Sequence, residues 1–452
     1  MIVMKFGGTS VGDGAAMLRL ADIVASRRDR NPVVVVSAMS GTTDTLLKAA
    51  HAAGEGDLHG ALSIARALRE RHEAAIAHAV TRPQPRAQVE EVVGAHFAGL
   101  ELMLEALALL RETGPKANDA VSSHGELLSA EIVARVLESR DLPGSFFDVR
   151  HIMITDDTFG RAAPVRAALA ERSNAHLAPV VQAGRIPVTQ GFVGSTTRGT
   201  PTTLGRGGSD YTAALIGAAL RVEEVEIWTD VDGLMTADPR VIKSARSLPE
   251  ASYDEAAELA FFGAKVLHPA TILPLVELDI PVWIKNSNRA QVEGTRVTAT
   301  TPRAAHTVKS IAWKRGVTIL NLRAPRMLGA HGFLKSMFDI FEDHGVAVDV
   351  VTTSEVSVSV SLENGAALDE LTKDLGTLGE VTVTRDRAIV CVVGEGLRET
   401  AGIPARIFKA LATVPIEMIS QGASKINLTF VIADTNAVEA VTSLHREFFE
   451  SH

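Results

Sequence analysis

The sequence predicts an α/β domain with a mainly parallel sheet, followed by two ferredoxin-like βαββαβ units. Three observations carry this. Up to about residue 295, strand-like runs, small-residue turns and amphipathic stretches alternate, the rhythm of a sheet with helical crossovers. Val33-Val34-Val35-Val36 is apolar without alternation, as in a strand covered on both faces. Beyond residue 306 the order strand–helix–strand–strand–helix–strand appears, and then begins again.

Taken in order, the apolar run Met1 to Met4 leads into Lys5-Phe6-Gly7-Gly8-Thr9-Ser10 and then an amphipathic stretch: a strand, a glycine turn and a helix start. Gly7 and Gly8 lack a Cβ, so their amides can approach an anion closely. Thr9 and Ser10 are suited to cap the helix, whose positive end would face the same place, and Lys5 adds a full charge. These residues predict a phosphate pocket; the plainer reading is a strand-to-helix turn with an exposed lysine. Neither better-known phosphate loop is present. No Gly-x-x-x-x-Gly-Lys-Ser/Thr occurs, and the partial Gly-x-Gly-x-x-Gly matches at Gly12/Gly14, Gly205/Gly207 and Gly394/Gly396 lack the third glycine.

A second small-residue loop, Ser37 to Asp44, also leads into a helix. Residues 58–80 and 86–112 read as long helices broken by Thr81-Arg82-Pro83-Gln84-Pro85. Strands are expected at 145–149, 186–193, 224–228 and 281–286. Between the second and third of these, Thr203-Leu204-Gly205-Arg206-Gly207-Gly208-Ser209-Asp210 opens a helix over Tyr211 to Leu220. Its glycines let backbone and guanidinium both reach a ligand, and Arg206 suits a bidentate carboxylate or phosphate contact. Asp210 is read either as an ion-pair partner that aims Lys5 or as an ordinary first-turn carboxylate.

Residues 296–306 read as a linker rich in Thr, Ala and charge. The first βαββαβ unit is expected over 315–385. The second, 386–452, ends without its closing strand, and residues 307–314 are expected to supply it. A single larger α+β domain is the alternative. Residues 1–295 are expected to form one α/β domain.

Composition narrows the function classes. Apolar residues make up 46% and charged residues 22% of 452, which fits a folded chain. The formal charge of −9 offers no basic footprint, so no nucleic-acid partner is expected. The one cysteine, Cys391, sits in an apolar run and reads as a buried inert thiol. No basic segment precedes an apolar one at the start, and no uncharged apolar run reaches bilayer length, so a cytoplasmic protein without a membrane partner is expected. No His/Cys/Asp cluster has metal-ligand spacing.

With both glycine loops in view, the chain resembles the aspartate kinases over essentially its whole length. The resemblance is carried by Lys-Phe-Gly-Gly-Thr-Ser at 5–10, Ser-His-Gly-Glu at 123–126, Leu-Gly-Arg-Gly-Gly-Ser-Asp-Tyr-Thr-Ala at 204–213 and Trp-Thr-Asp-Val-Asp-Gly at 228–233. Asp-Pro-Arg at 238–240, Phe-Gly-Ala-Lys-Val-Leu-His-Pro at 262–269 and Thr-Thr-Ser-Glu-Val-Ser-Val-Ser at 352–359 continue it. It implies an amino-acid-kinase fold (an αβα sandwich) with two ACT domains, in the monofunctional form. The implied reaction is ATP plus L-aspartate to 4-phospho-L-aspartate and ADP. A carboxylate nucleophile with a pKa near ~4 needs no general base, so the site must supply cations and N–H dipoles.

By resemblance, Lys5 stabilises the transferring phosphoryl group, Asp210 organises it, and Gly7, Gly8, Thr9 and Ser10 line its pocket. Arg206 pairs with the α-carboxylate of aspartate, Thr43 and Ser209 add hydrogen bonds, and Glu126 takes the ammonium. As a residue alone, Glu126 reads equally well as a first-turn carboxylate of a helix over Leu127 to Glu138. The nucleotide is assigned Thr229, Asp230, Met235, Arg240, Lys265 and Val266; Met235 departs from the tyrosine common in relatives. Magnesium is expected to be held mainly by ATP phosphates and water.

In the first ACT unit, the helix near Gly332 suits an effector carboxylate and Asp349 its ammonium. Lysine-inhibited members add Met327, Leu334, Val348, Thr353, Ser354 and Glu355, with L-lysine the implied effector. Ala330 and Ala347 stand where a lysine-sensitive relative has serine. Residues 352–359 alone also read as a β-branched strand and turn. The family implies a homodimer or homotetramer through the ACT domains. Two other functions are compatible with parts of the pattern: a kinase of glutamate, carbamate or a nucleotide, against which Arg206, Glu126 and the paired ACT units speak, and a catalytically silent amino-acid sensor, against which Lys5 and Asp210 speak.

Overall fold

A computed structural model of the chain describes residues 1–262, 269–301, 307–363, 368–422 and 424–450. They divide into two compact units. The first comprises Met1–Leu234, Pro249–Tyr253 and the described part of Val266–Thr300; the second comprises Met235–Leu248 and the described parts of Asp254–Lys265 and Thr301–His452.

In chain order the first elements are β1 (Ile2–Phe6), α1 (Gly14–Ala25), β2 (Pro32–Val36), α2 (Thr42–Gly54), α3 (Leu58–Ala79), α4 (Pro83–Leu110), α5 (Pro115–Ser139) and β3 (Gly144–Phe147). Then come α6 (Arg166–Arg172), α7 (Ala178–Gln182), β4 (Ile186–Gln190), the hairpin β5 (Val193–Ser195) and β6 (Pro201–Thr203), α8 (Gly208–Leu220) and β7 (Val225–Thr229). These are followed by β8 (Glu250–Ser252), α9 (Tyr253–Phe261), α10 (Pro269–Val276), β9 (Val282–Asn286) and β10 (Thr295–Thr298). The sheet order is β3-β4-β2-β1-β7-β9-β10-β8, parallel from β3 to β9, with β10 antiparallel to β9 and parallel to β8. Every residue of β1 and β2 is buried, which is why Val33–Val36 shows no alternation. Lys5 is in register with Val35 on one side and Ile227 on the other, so β1, β2 and β7 end at one edge. The loops leaving that edge, where neighbouring strands connect in opposite directions, are where such sheets bind ligands.

Four sequence expectations change here. Thr9 and Ser10 do not open a helix: Gly8–Val11 is one 3-10 turn, and α1 starts after Asp13, whose carboxylate accepts from the Ala16 amide at 2.8 Å. A carboxylate cap at the right offset outcompetes the two hydroxyls and already occupies the positive end of α1. Secondly, α5 begins at Pro115, not Leu127, so Glu126 stands mid-helix. Thirdly, residues 295–298 are a strand of the first sheet, so the linker expected over 296–306 starts later than the sequence suggests; 302–306 lie outside the described residues. Finally, 235–248 and 254–262 group with the second unit, although the sequence pattern places them in one domain over 1–295.

The break between α3 and α4 is as expected, with Pro83 and Pro85 in the first turn of α4, where amides need no helical partner. By length and composition α4 could cross a membrane, but Val89, Val93, Phe97, Leu100, Leu104 and Leu107 are buried in the core of the first unit.

The second unit contains β11 (Ser310–Arg323), α11 (Phe333–Asp343), β12 (Val348–Thr353), β13 (Ser357–Glu363), α12 (Leu368–Leu375), β14 (Glu380–Val393), α13 (Ile403–Ala410), β15 (Ile416–Gln421), β16 (Asn427–Ala433) and α14 (Ala437–His445). Its six strands form one antiparallel sheet in the order β12-β13-β11-β14-β16-β15. Both βαββαβ units share the 14-residue strands β11 and β14. Val317–Arg323 pairs with β13 in the first unit, while Ser310–Lys314 pairs with Val393–Ile389 and forms the edge that the second unit lacks in sequence order. The register shifts between Lys314 and Val317, where one unit gives way to the other. Each has its own core, around Leu320, Phe341 and Leu371 in the first and Val390, Phe430 and Leu444 in the second.

Candidate active site

At the carboxyl edge of the first sheet lies a cavity of about 350 Å³. Its walls come from the end of β1 (Lys5, Gly8), the loop after β2 (Ser37 to Gly41, with Thr43), mid-α5 (Glu126), Phe192 after β4, and the loop 205–210 entering α8. Residues more than two hundred positions apart thus meet, because parallel strands place every βα loop at the same end.

The electrostatics of the cavity are divided. On one side, Lys5 is 8% exposed and its Nζ lies 2.6 Å from Asp210 Oδ1, an ion pair that holds the ammonium in place. Helices α2 and α8 both point their N-termini here. Their N-caps, Gly41 and Gly207, sit at φ +77° and +75°, and neither helix has a side-chain cap. The left-handed conformation favours glycine, and the missing side chain leaves the positive helix end open to an anion. Arg206 is exposed and makes no ion pair among the described residues. On the other side, Glu126 is 4% exposed with Oε2 lacking a hydrogen-bond partner among the described residues. Burial pushes its carboxyl up to about 8, a shift that the Ala38 backbone N–H only partly offsets. The first-turn reading of Glu126 is therefore replaced by a neutralised acid deep in a helix, waiting for a cation.

Lys5, Gly8, Thr43, Glu126, Arg206, Ser209 and Asp210 all line this cavity. Gly7, Thr9 and Ser10 do not. The Gly7 amide donates to Trp228 O at 3.0 Å, and Ser10 Oγ lies 2.7 Å from Ser287 Oγ, which donates to Thr229 O. These groups brace the loop against the ends of β7 and β9, so their donors are used within the protein; Thr9 is exposed. Thr229 and Asp230 stand at the end of β7, with Thr229 Oγ1 donating to Asp230 at 3.2 Å. Met235 and Arg240 belong to the second unit. Met235 O accepts from Ser310 Oγ, and Arg240 forks onto Asp238 at 2.7 Å. Lys265 and Val266 lie outside the described residues.

Of the effector residues, Met327, Ala330 and Leu334 follow the end of β11, where the Ala324 amide donates to Val356 O. Thr353, Ser354 and Glu355 therefore share their end of the sheet. Val348 and Asp349 start β12, roughly 17 Å and roughly 13 Å of strand away from Thr353. Lys314 Nζ, 3.0 Å from Asp349, already meets that carboxylate, so within one chain Asp349 does not join the other six residues. The N-terminus of α11 has Gly332 as N-cap and no side-chain cap.

Phe192 was missed by sequence reading. It adopts φ +64°, uncommon outside glycine, with its amide bonded to Thr212 Oγ1 at 3.0 Å. Gly191 before it passes so close to Ser209 that an added Cβ would lie 2.5 Å from Ser209 Cβ. The detectable signal is Gly191 inside the strand expected over 186–193, since an isolated glycine in a strand pattern marks a close backbone approach.

A model of the amino acid kinase family matches residues 1–286, and one of the ACT domain matches 390–448. The chain is 40% identical to the lysine-sensitive aspartokinase 3 of Escherichia coli K12, over 100% of its own length and 99% of the relative. It is 37% identical to the chloroplastic aspartokinase 3 of Arabidopsis thaliana, covering 99% of this chain and 82% of that protein. Among solved structures it is similar to E. coli aspartokinase III with aspartate and ADP (TM-score 0.83, 40% identity, 99% and 100% of the two chains). The same enzyme with lysine and aspartate aligns with TM-score 0.84, at 40% identity over 99% of each chain.

Proposed function

Because the chain belongs to the amino acid kinase family, and within it to the aspartokinases, we propose that its cavity binds L-aspartate and passes the γ-phosphoryl group of ATP to the side-chain carboxylate. The observation that carries this reading is the convergence of Lys5, Arg206 and two uncapped helix N-termini opposite a buried, unpaired Glu126. Such a hollow suits a ligand with two anionic groups and one ammonium.

Arg206 takes the α-carboxylate in a bidentate grip, Glu126 the ammonium, and Thr43 and Ser209 add hydrogen bonds. The distal carboxylate is then directed at Lys5. At neutral pH it is ionised, since a free side-chain carboxyl titrates near ~4, so no base is required. The barrier is the approach of two anions, and Lys5 with the α2 and α8 dipoles lowers it by offering fixed positive charge that needs no reorganisation. Asp210 keeps the Lys5 ammonium from turning away. We assign ATP to Thr229, Asp230, Met235, Arg240, Lys265 and Val266. Magnesium would be bound through nucleotide phosphates and water, where it would neutralise phosphate charge.

We further propose feedback by an amino acid, L-lysine, at the first ACT unit, and a homodimer or homotetramer formed through these units. The separation of Val348 and Asp349 from the other six residues supports a site built from two chains, each giving one end. Lysine sensitivity in the E. coli relative supports the choice of effector. The test is ADP release coupled to hydroxylamine trapping of the acyl phosphate, with aspartate, glutamate and carbamate as acceptors and lysine as inhibitor. Preference for glutamate, or no acyl phosphate from aspartate, refutes the reading.

A further inference from the structure

Helix α5 carries a second buried carboxylate that the reaction does not use directly. Asp119 is 2% exposed and stands seven residues before Glu126, two helical turns away on the same face. Its Oδ2 accepts from the Gly160 amide at 2.9 Å and the Thr203 amide at 2.9 Å, and its Oδ1 from Thr203 Oγ1 at 2.7 Å. All three donors belong to the strap that presents Arg206. Thr203 ends β6 three residues before the arginine, and Ala162 N–H donates back to Thr203 O at 2.8 Å, so the 160–162 turn and β6 are one layer. Gly205, at φ +78°, packs on that layer: an added Cβ would lie 3.2 Å from Gly160 O. A carboxylate gathering three charge-assisted bonds from two segments fixes both segments to the helix that holds it.

We infer that Asp119 is the positioning residue of the arginine loop, so that one rigid helix sets the spacing between the ammonium acceptor, Glu126, and the α-carboxylate donor, Arg206. The site then measures the backbone of an α-amino acid against two turns of α5. This rests on the reading that Arg206 and Glu126 hold aspartate. Asp119 touches no substrate; it acts through the loop.

The test is steady-state kinetics of the full-length protein, with aspartate and MgATP each varied at saturation of the other, on Asp119→Ala, Arg206→Ala and the double variant, alongside thermal melts. Asp119→Ala removes both acceptor oxygens and with them all three hydrogen bonds, from two amides and one hydroxyl, so KM for aspartate is expected to rise about ten- to a hundredfold with KM for ATP within about twofold. In the Arg206→Ala background the same change should raise KM for aspartate no further, because the group being positioned is gone. Asp119→Asn, whose oxygen still accepts from both amides while its NH2 meets the Thr203 hydroxyl, should restore most of the affinity. Thr203→Val, losing one bond of three, should show the same non-additivity on a smaller scale, and decides the matter if Asp119→Ala does not fold. Equal effects in both backgrounds, or an unchanged KM in Asp119→Ala, overturn the inference while leaving the Arg206 assignment intact. A normal KM in Arg206→Ala overturns that assignment, and the inference with it.

Discussion

Aspartate binding should release a proton, and its strength should track the ionisation of Glu126. In the free protein burial pushes this carboxyl to about 8. Only the ionised form can pair with an ammonium, and it makes up about 3% of the protein at pH 6.5 and about 50% at pH 8. KM for aspartate should therefore fall roughly 16-fold between those values and level off above them. The sign follows from burial raising the pKa: the acid is neutral below about 8, and the arriving ammonium pulls it down. The amino group of aspartate stays protonated throughout this window, so it does not produce the same slope. Calorimetry at pH 7 in two buffers of different ionisation enthalpy should report release of close to one proton per aspartate bound, about 0.9 for a group at this pKa. Glu126→Gln should flatten the profile and hold KM at pH 8 at or above the wild-type value at pH 6.5. A KM that is level from pH 6.5 to 8.5 in the wild type, with heats independent of buffer, would refute the assignment of Glu126 to the ammonium.

Lys5→Ala should reduce phosphoryl transfer by at least about a thousandfold with an unchanged circular dichroism spectrum, since it removes the principal fixed charge at the site; near-normal turnover would reject its role. Gly191→Ala places a methyl 2.5 Å from Ser209 Cβ, so the start of α8 must shift. We expect kcat/KM for aspartate to drop about a hundredfold and stability to fall by about 1–3 kcal/mol, read by kinetics and denaturant titration. Glu355→Ala should weaken lysine inhibition while leaving uninhibited turnover alone, and an unaltered inhibition curve would discard the effector assignment. His72 is buried with Nδ1 on Leu68 O at 2.7 Å and Nε2 unpartnered among the described residues, and burial lowers it to about 4. Its contribution to stability is complete above its ordinary pKa of 6.5 and is lost as pH falls toward about 4, at up to about 1.4 kcal/mol per pH unit. Melts of His72→Leu should show a shallower acid slope than wild type; equal slopes would remove His72 as the cause.

Local pattern served well where a residue's fate depends on its neighbours in sequence. The uninterrupted valines of β2, the paired prolines starting α4, and the glycines around Arg206 each act over three or four residues, the range over which turns and caps are decided. The same reasoning went wrong at Thr9 and Ser10, which are sound N-caps by type, because Asp13 lies just downstream and is bonded in their stead.

The sequence by itself determined the kinds of element, the repeated βαββαβ order, and the charged and small residues from which a phosphate-handling site is made, since periodicity, chain stiffness and formal charge are properties of the chain. Only the tertiary structure decided that Glu126 is a neutral acid in mid-helix, that Phe192 and Gly191 complete the cavity wall, that Asp119 anchors the arginine loop, and that β11 and β14 each serve two units. Those outcomes depend on desolvation and on contacts between segments tens to hundreds of residues apart. Burial of a carboxyl, or the distance between two amides and an acid, exists only once the sheet has brought its loops to one edge.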